Sequence, residues 1–208
     1  TEVALLGGGY GRDWWYDVFP HCLYYMVCEV FPGVEGAEEI QRTVAEQFAR
    51  ADSVLAGNYD YTYFDYAKMQ GCNNWIPKQQ DAAGGHAYVL YSAYNKFGDE
   101  RYLQHAISAT AALDSQSESR FYEILLPMGI YTAARLNAEQ GQDFDLGKMF
   151  GWVFDGCTAA DGRTGWGIMA GQWGDYEVSG LQGRLTDGGG FAFLMNSLDL
   201  FITFLPTV

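Results

Sequence analysis

The sequence predicts an all-α protein built from repeated helical hairpins that form part or all of an (α/α) toroid. Three observations support this fold class. Apolar residues recur at helical spacing in roughly seven segments, glycines close to acidic residues separate several of these segments, and alternating strand patterns are short and isolated. Because one amphipathic hairpin cannot bury its apolar face alone, we expect repeated hairpins to pack against their neighbours.

Two helices are predicted in the first quarter of the chain. A helix over Val18 to Val30 follows Asp17, a residue type suited to an N-cap, and it tolerates Pro20 in its first turn. A helix over Ala37 to Leu55 has an acidic first turn, which the helix dipole favours, and a continuous apolar stripe. These two segments form the first predicted hairpin.

A polar and aromatic connector over Asn58 to Lys78 leads to the next hairpin. Its first helix runs from Gln80 to Phe97 and stops at Gly98, because glycine readily adopts the left-handed conformation of a helix C-terminus. Asp99 then caps a helix that ends near Ser115.

The same pattern recurs further along the chain. A helix over Phe121 to Gln140 stops at Gly141, and Asp143 or Asp145 begins the next one. A last helix is predicted over Phe191 to Leu205, where apolar residues again follow helical spacing.

Length and composition restrict the classes of partner. The chain has 208 residues, 49% of them hydrophobic, so residues 1–208 are expected to form a single domain with a substantial core. A formal net charge of −14 argues against nucleic acid and anionic membranes, which attract Lys and Arg. Asn196 and Asp199 interrupt the longest apolar stretch near the end, which argues against membrane insertion. The chain opens at Thr1 without Met, and we interpret it as a processed or incomplete piece of a longer chain.

We expect no cofactor and no metal. The glycine-rich opening lacks the GxGxxG spacing of a dinucleotide site, and the three histidines form no HExxH motif. The cysteines form no CxxC pair, and they are expected to be small core residues, with a Cys72–Cys157 bridge left open.

The segment from Gly156 to Gly190 is the strongest candidate for a binding surface. It concentrates glycines, two tryptophans and several carboxylates without a helical period, which a packed core does not need. Aromatic rings suit sugars, because they stack on the apolar face of a pyranose while polar side chains bind its hydroxyls. The aromatic residues that we expect to bind substrate are Trp14, Trp15, Trp75, Trp166, Trp173 and Tyr176.

Four carboxylates are candidates for catalysis, and each has a structural alternative. Asp187 precedes three glycines, where backbone can approach a ligand, but it also suits a helix N-cap. Asp175 lies between Trp173 and Tyr176 and is the preferred catalytic partner of Asp187. Its structural alternative is a turn-forming Asp with a solvated side chain.

The other two carboxylates lie at predicted helix starts. Glu123 begins an otherwise apolar helix, where burial would raise the pKa of its carboxyl as a general acid requires, although the helix dipole alone also favours it. Asp17 stands with Asp13 on either side of three aromatic residues, and it serves equally well as the cap of the first helix.

Several stretches carry a resemblance to a known group of proteins. They are GRDWWYDVFPHCLYYMVCEVFP, AAGGHAYVLYSAYNKFGDERYLQHAISATAALDS, FYEILLPMGIYTAARLNAEQG and GWGIMAGQWGDYEVSGLQGRLTDGGGFAFLMNSLDL. In these stretches the chain resembles the six-hairpin, (α/α)6-toroid group of carbohydrate-active proteins. The resemblance implies inner and outer helices, a sugar cleft lined by inner-helix ends and loops, and Asp and Glu as catalysts. A complete toroid has more helices than this chain supplies.

Three functions follow as hypotheses. The first is a glycoside hydrolase that acts on a poly- or oligosaccharide through paired carboxyl groups. The second is a polysaccharide lyase, for which Arg12, Arg163 and Arg184 are the best-placed residues to neutralise an acidic substrate. The third is a non-catalytic helical-repeat protein that binds glycan or assembles with its own copies. We expect a secreted or periplasmic location.

Overall fold

The computed structural model describes residues 13–118, 124–154, 166–168, 172–173, 175–177, 179–184 and 191–193. This part of the chain is mostly helical, in agreement with the predicted all-α class. Its helices are α1 (Trp14–Val30), α2 (Ala37–Leu55), α3 (Ala82–Phe97), α4 (Glu100–Asp114), α5 (Leu125–Gln140) and α6 (Leu146–Phe154). Its short strands are β1 (Tyr63–Asp65), β2 (Gln70–Cys72), β3 (Trp166–Ile168), β4 (Gln172–Trp173), β5 (Tyr176–Glu177), β6 (Gln182–Arg184) and β7 (Phe191–Phe193).

The predicted helix boundaries are confirmed for α2 and nearly so for α4. Asp99 caps α4 as expected, since its side chain accepts a hydrogen bond from the Arg101 backbone N–H at 3.0 Å. The start of α1 was predicted wrongly. The cap is Asp13, whose Oδ1 accepts from the Tyr16 N–H, so Asp17 lies in the first turn of the helix. The buried Trp14 extends the apolar face of α1 by one turn beyond the predicted start.

The last predicted helix is also corrected where the structure describes it. Phe191–Phe193 form β7, which pairs with β6 in an antiparallel sheet of order β3-β6-β7. An apolar run with two phenylalanines at alternate positions suits a strand as well as a helix. The helical spacing of the later apolar residues therefore did not predict the structure of Phe191–Phe193. The rest of that prediction, from residue 194 onward, lies outside the described residues.

Helices α1, α3 and α5 lie side by side and point the same way. Contacts near their first turns align the three helices, because Gly84 of α3 meets Leu125 at the start of α5, and Gly85 meets Val18 of α1. Helices α2 and α4 run in the opposite direction. The Tyr25 hydroxyl at the end of α1 donates to the Gln41 carbonyl near the start of α2, as an antiparallel hairpin requires.

Glycines allow α3 and α5 to approach closely. A Cβ at Gly84 would lie 2.5 Å from the Leu125 carbonyl oxygen and 2.9 Å from the Gly129 Cα. A Cβ at Gly129 would lie 2.7 Å from the Gly84 Cα. Because the obstructing atoms belong to backbone, neither helix can make room by changing a rotamer. The two helices therefore pack backbone to backbone at this crossing.

An aromatic cluster fills the core between α1, α2 and α3. The His86 ring is fully buried, 4.4 Å from the Phe48 ring and 5.4 Å from the Trp14 ring. His86 Nε2 and the Tyr66 hydroxyl lie 3.1 Å apart in a hydrogen bond. Burial lowers the pKa of His86 to about 3, and the nearby His21 acts in the same direction. This histidine is therefore a neutral core residue at physiological pH.

A charged residue extends the buried network toward α4. Asp52 of α2 is 2% exposed, and its Oδ1 accepts from the Tyr59 hydroxyl at 2.8 Å. Its Oδ2 lies 2.8 Å from Nδ1 of His105 in α4. Both carboxylate oxygens are thus satisfied, which a buried charge requires.

We expect the substitution Gly84→Ala to lower the free energy of unfolding by about 2 kcal/mol, because the added methyl group overlaps backbone of α5. The higher helix propensity of alanine offsets only part of this cost. Urea denaturation measures the change. Gly147→Ala is the matched control, since the nearest atom to its Cβ is an Asp145 side-chain oxygen at 3.4 Å, an ordinary contact distance. Equal stability of the two variants would contradict the close α3–α5 contact.

We also expect acid to destabilise the protein through His86. Its folded pKa of about 3 lies below the model-peptide value of 6.5, so between these pH values only the unfolded state binds the proton. Stability is therefore lost as the pH falls below about 6.5, by up to about 1.4 kcal/mol per pH unit for one histidine. NMR titration should show a His86 ring that stays neutral while denaturation shows declining stability. A His86 ring that protonates near pH 6.5 in the folded protein would refute this account.

Candidate functional site

A polar pocket opens at the end of the molecule where α2 and α4 terminate and α3 begins. It has a volume of about 270 Å3. We call it the polar pocket, and the side chains that give it its character are Asn58, Asp60, Gln80, Ser115, Gln116 and Glu118. Amides, a hydroxyl and carboxylates therefore dominate its wall, and these are groups that bind hydroxyls.

The end of α2 positions Asp60 at this pocket. Ala56 adopts a left-handed conformation with φ of 47°, and Gly57 follows with φ of 86°, so the chain turns sharply after the helix. Asn58 Oδ1 then accepts from the Asp60 N–H at 3.0 Å, which closes a short turn. The Asp60 carboxylate is held by Lys78 Nζ and, at 2.8 Å, by Gln80 Nε2. Asp60 is therefore a fixed carboxylate at the pocket wall.

Gln116 joins the end of α4 to the start of α3. Its Nε2 donates to the Gln80 carbonyl at 3.1 Å, which leaves the amide oxygen in a set orientation. That oxygen is buried, and among the residues that the structure describes it has no hydrogen-bond partner. A buried acceptor without a donor costs free energy, so a ligand hydroxyl would be favoured here.

Buried polar residues continue from the polar pocket toward α1. Gln79 is 2% exposed, and its Oε1 accepts from the Trp15 N–H at 3.0 Å. Asp13 is buried at the start of α1, and Asp81 is buried at the start of α3. Burial raises the pKa of Asp13, opposed by hydrogen bonds from the Tyr16 and Trp15 backbone. Carboxylates thus gather where the first turns of α1 and α3 meet.

The sequence-predicted catalytic residues are not brought together in the described part of the chain. Asp17 is 1% exposed and lies beneath the surface in α1. Asp175 is exposed at the turn of a tight hairpin in which Trp173 pairs with Tyr176. Its position matches the turn-forming alternative. Glu123 and Asp187 lie outside the described residues.

The predicted sugar-stacking residues differ in how far they are exposed. Trp14 is fully buried against Tyr59 and Phe64, so its ring has no open face, and the expected stacking role is corrected on that ground. Trp15 is half-buried beside Phe19 at 5.0 Å, and Trp75 is 75% exposed.

The other three predicted aromatic residues lie in short strands. The backbone of Trp166 forms part of β3, which pairs with β6, and Trp173 lies in β4. Tyr176 is 73% exposed in β5, so its ring is open to solvent. Both pairings are antiparallel, so the described residues of this part of the chain form strands rather than an extension of the helices.

Sequence analysis missed the residues that line the polar pocket. Their shared signal is position, because Asn58 and Asp60 follow the predicted end of α2 and Gln116 follows the predicted end of α4. In a stack of parallel hairpins such helix ends lie together. Polar residues just beyond them are therefore a signal for a shared pocket.

Metal-ligating groups, cysteine thiols and helix lengths complete the description of this part of the chain. No group of three or more His, Cys, Asp or Glu side chains in this part of the chain is arranged to hold a metal ion. Cys22 and Cys28 are buried and Cys72 is half-buried, all three as free thiols, whereas Cys157 lies outside the described residues. Within the same ranges, every helix is too short or too polar to cross a membrane.

Comparison with known proteins returned no relatives. No protein-family model, no curated protein and no solved structure matches the chain. The function must therefore be inferred from the site itself.

Proposed function

We propose that the protein is a carbohydrate-active protein of helical-toroid type whose polar pocket binds an uncharged poly- or oligosaccharide. The observation that carries the proposal is Gln116, whose buried amide oxygen has no donor among the described residues and which is one of the residues that line a pocket of amides, hydroxyls and carboxylates. Sugars present dense hydroxyl donors, and they satisfy such acceptors without bringing a charge into a strongly acidic protein.

The order of the helices supports the toroid part of the proposal. Alternate helices α1, α3 and α5 pack side by side, and α2 also contacts α4, as in a layer of inner and a layer of outer helices. The polar pocket lies at one end of α3 among the loops, and the resemblance implies a sugar cleft lined by inner-helix ends and loops. Further hairpins would be needed to close a ring.

Hydrolysis is the activity that we propose for this site. A glycoside hydrolase needs two carboxyl groups on either side of the scissile bond, one as acid and one as base or nucleophile. Asp60 and Glu118 line the same pocket from different connectors, so they join Glu123, Asp175 and Asp187 as candidates. Glu123 lies five residues beyond Glu118 in the chain, just before α5.

Binding provides the first test. We expect a neutral oligosaccharide from a screened panel to bind in isothermal titration calorimetry, and Asp60→Asn to weaken binding by about tenfold, because a charged hydrogen-bond acceptor is lost. Asp143→Asn is the matched control, since Asp143 is an exposed carboxylate outside the pocket lining. Absence of binding by every neutral sugar, or an equal effect of the two variants, would reject the polar pocket as the sugar site.

Turnover provides the second test. Polysaccharides are incubated with the protein, and products are identified by mass and by ultraviolet absorbance. Hydrolysis adds water to each new end, whereas a lyase leaves an unsaturated product that absorbs. We expect hydrolytic products, and we expect Asp187→Asn or Glu123→Gln to abolish turnover while binding persists. Binding without turnover by the unaltered protein would favour the non-catalytic glycan-binding alternative.

A further inference from the structure

A second pocket lies at the opposite end of the helices, where α1 and α3 terminate and α2 begins. Its volume is about 290 Å3. We call it the cationic pocket, and the lining residues that matter to its chemistry are Glu29, Gln41, Ser92, Asn95, Lys96 and Arg135. Four helices contribute to it, so its shape depends on the packed bundle rather than on one loop.

Gln41 is the buried recognition group of this pocket. The residue is 2% exposed, and its Oε1 has no hydrogen-bond partner among the residues that the structure describes. Its backbone carbonyl is engaged by the Tyr25 hydroxyl at 2.6 Å, which holds the start of α2 against α1. A buried amide oxygen without a donor in the described part of the chain favours a ligand with a hydroxyl or amino group.

Two cations give the pocket its preference for an acid. Lys96 is exposed and forms no ion pair in the described part of the chain, although the protein carries an excess of carboxylates. Arg135 is held rigidly, because Glu139 accepts from its Nε at 2.7 Å and from its Nη2 at 3.0 Å, and its guanidinium lies 4.9 Å from the Tyr91 ring centre. Its Nη1 makes no hydrogen bond within the described residues.

We infer that the cationic pocket binds a small hydroxylated carboxylate, such as a sugar acid. Lys96 and the unused edge of Arg135 would bind the carboxylate, since planar guanidinium groups match carboxylate geometry. Gln41, Ser92 and Asn95 would bind the hydroxyls. Glu29 also accepts hydroxyl donors and adds a negative charge at the rim, which disfavours ligands of higher charge such as phosphate dianions. This site is independent of the polar pocket at the other end.

The test uses D-gluconate and D-glucuronate as probes, titrated into the complete protein by isothermal titration calorimetry. We expect binding that added salt weakens, and we expect Lys96→Met to weaken it about tenfold or more, because a charge-assisted hydrogen bond is lost. Lys68→Met is the matched control, since Lys68 is an exposed lysine outside this pocket that pairs with Asp65. Gln41→Leu should also weaken binding, provided that circular dichroism shows a folded protein.

Three results would overturn the inference. They are no binding of either probe at millimolar concentration, equal loss in the Lys96→Met and Lys68→Met variants, and equal binding of the neutral analogue sorbitol. Inorganic phosphate that binds in place of the carboxylates would equally reject the proposed ligand class. Because Lys96 does not line the polar pocket, failure here leaves the neutral-sugar proposal standing, and the reverse also holds.

Discussion

The backbone contact between α3 and α5 at Gly84 and Gly129 determines how the remaining helices can be arranged. Two parallel helices that touch through glycine have their first turns in register, and Gly85 extends the same close packing to Val18 of α1. With α1, α3 and α5 aligned, the connectors that follow α2 and α4 must return to the same end of the molecule. The polar pocket lies among those connectors, so its existence depends on a backbone contact between α3 and α5.

The buried polar cluster around His86 follows from the same arrangement. Large aromatic rings such as Trp14 and Phe48 fill the space between α1, α2 and α3, and His86 packs edge-on or tilted against them. A neutral imidazole can occupy this position because Tyr66 engages its Nε2. Hydrogen bonds to Tyr59 and His105 offset the cost of burying the Asp52 carboxylate. Hydrogen bonds of this kind fix the orientations of the buried side chains and so favour one packing of the core.

The sequence predicts the helix boundaries well and the burial of individual side chains poorly, for a physical reason. Helix bounds depend on local signals, and the left-handed Gly98 and Gly141 and the cap Asp99 provide them directly. Burial depends on tertiary contacts. Trp14 was expected at a sugar-binding surface and lies in the core. Gln116 was not singled out in the sequence and lines the polar pocket. Tryptophan content identifies an apolar contact but does not tell whether the partner is a ligand or the protein itself.

The two pockets differ in charge because the aligned helices have a direction. The first turns of α1 and α3 carry partial positive charge, and the carboxylates Asp13 and Asp81 lie there. The last turn of α3 carries partial negative charge, and Lys96 is placed beside it. The polar pocket is thus lined by the carboxylates Asp60 and Glu118, whereas the cationic pocket is lined by Lys96 and Arg135 together with Glu29. Parallel alignment of the helices thus produces two chemically distinct pockets, for which we propose a neutral hydroxylated ligand and an acidic one.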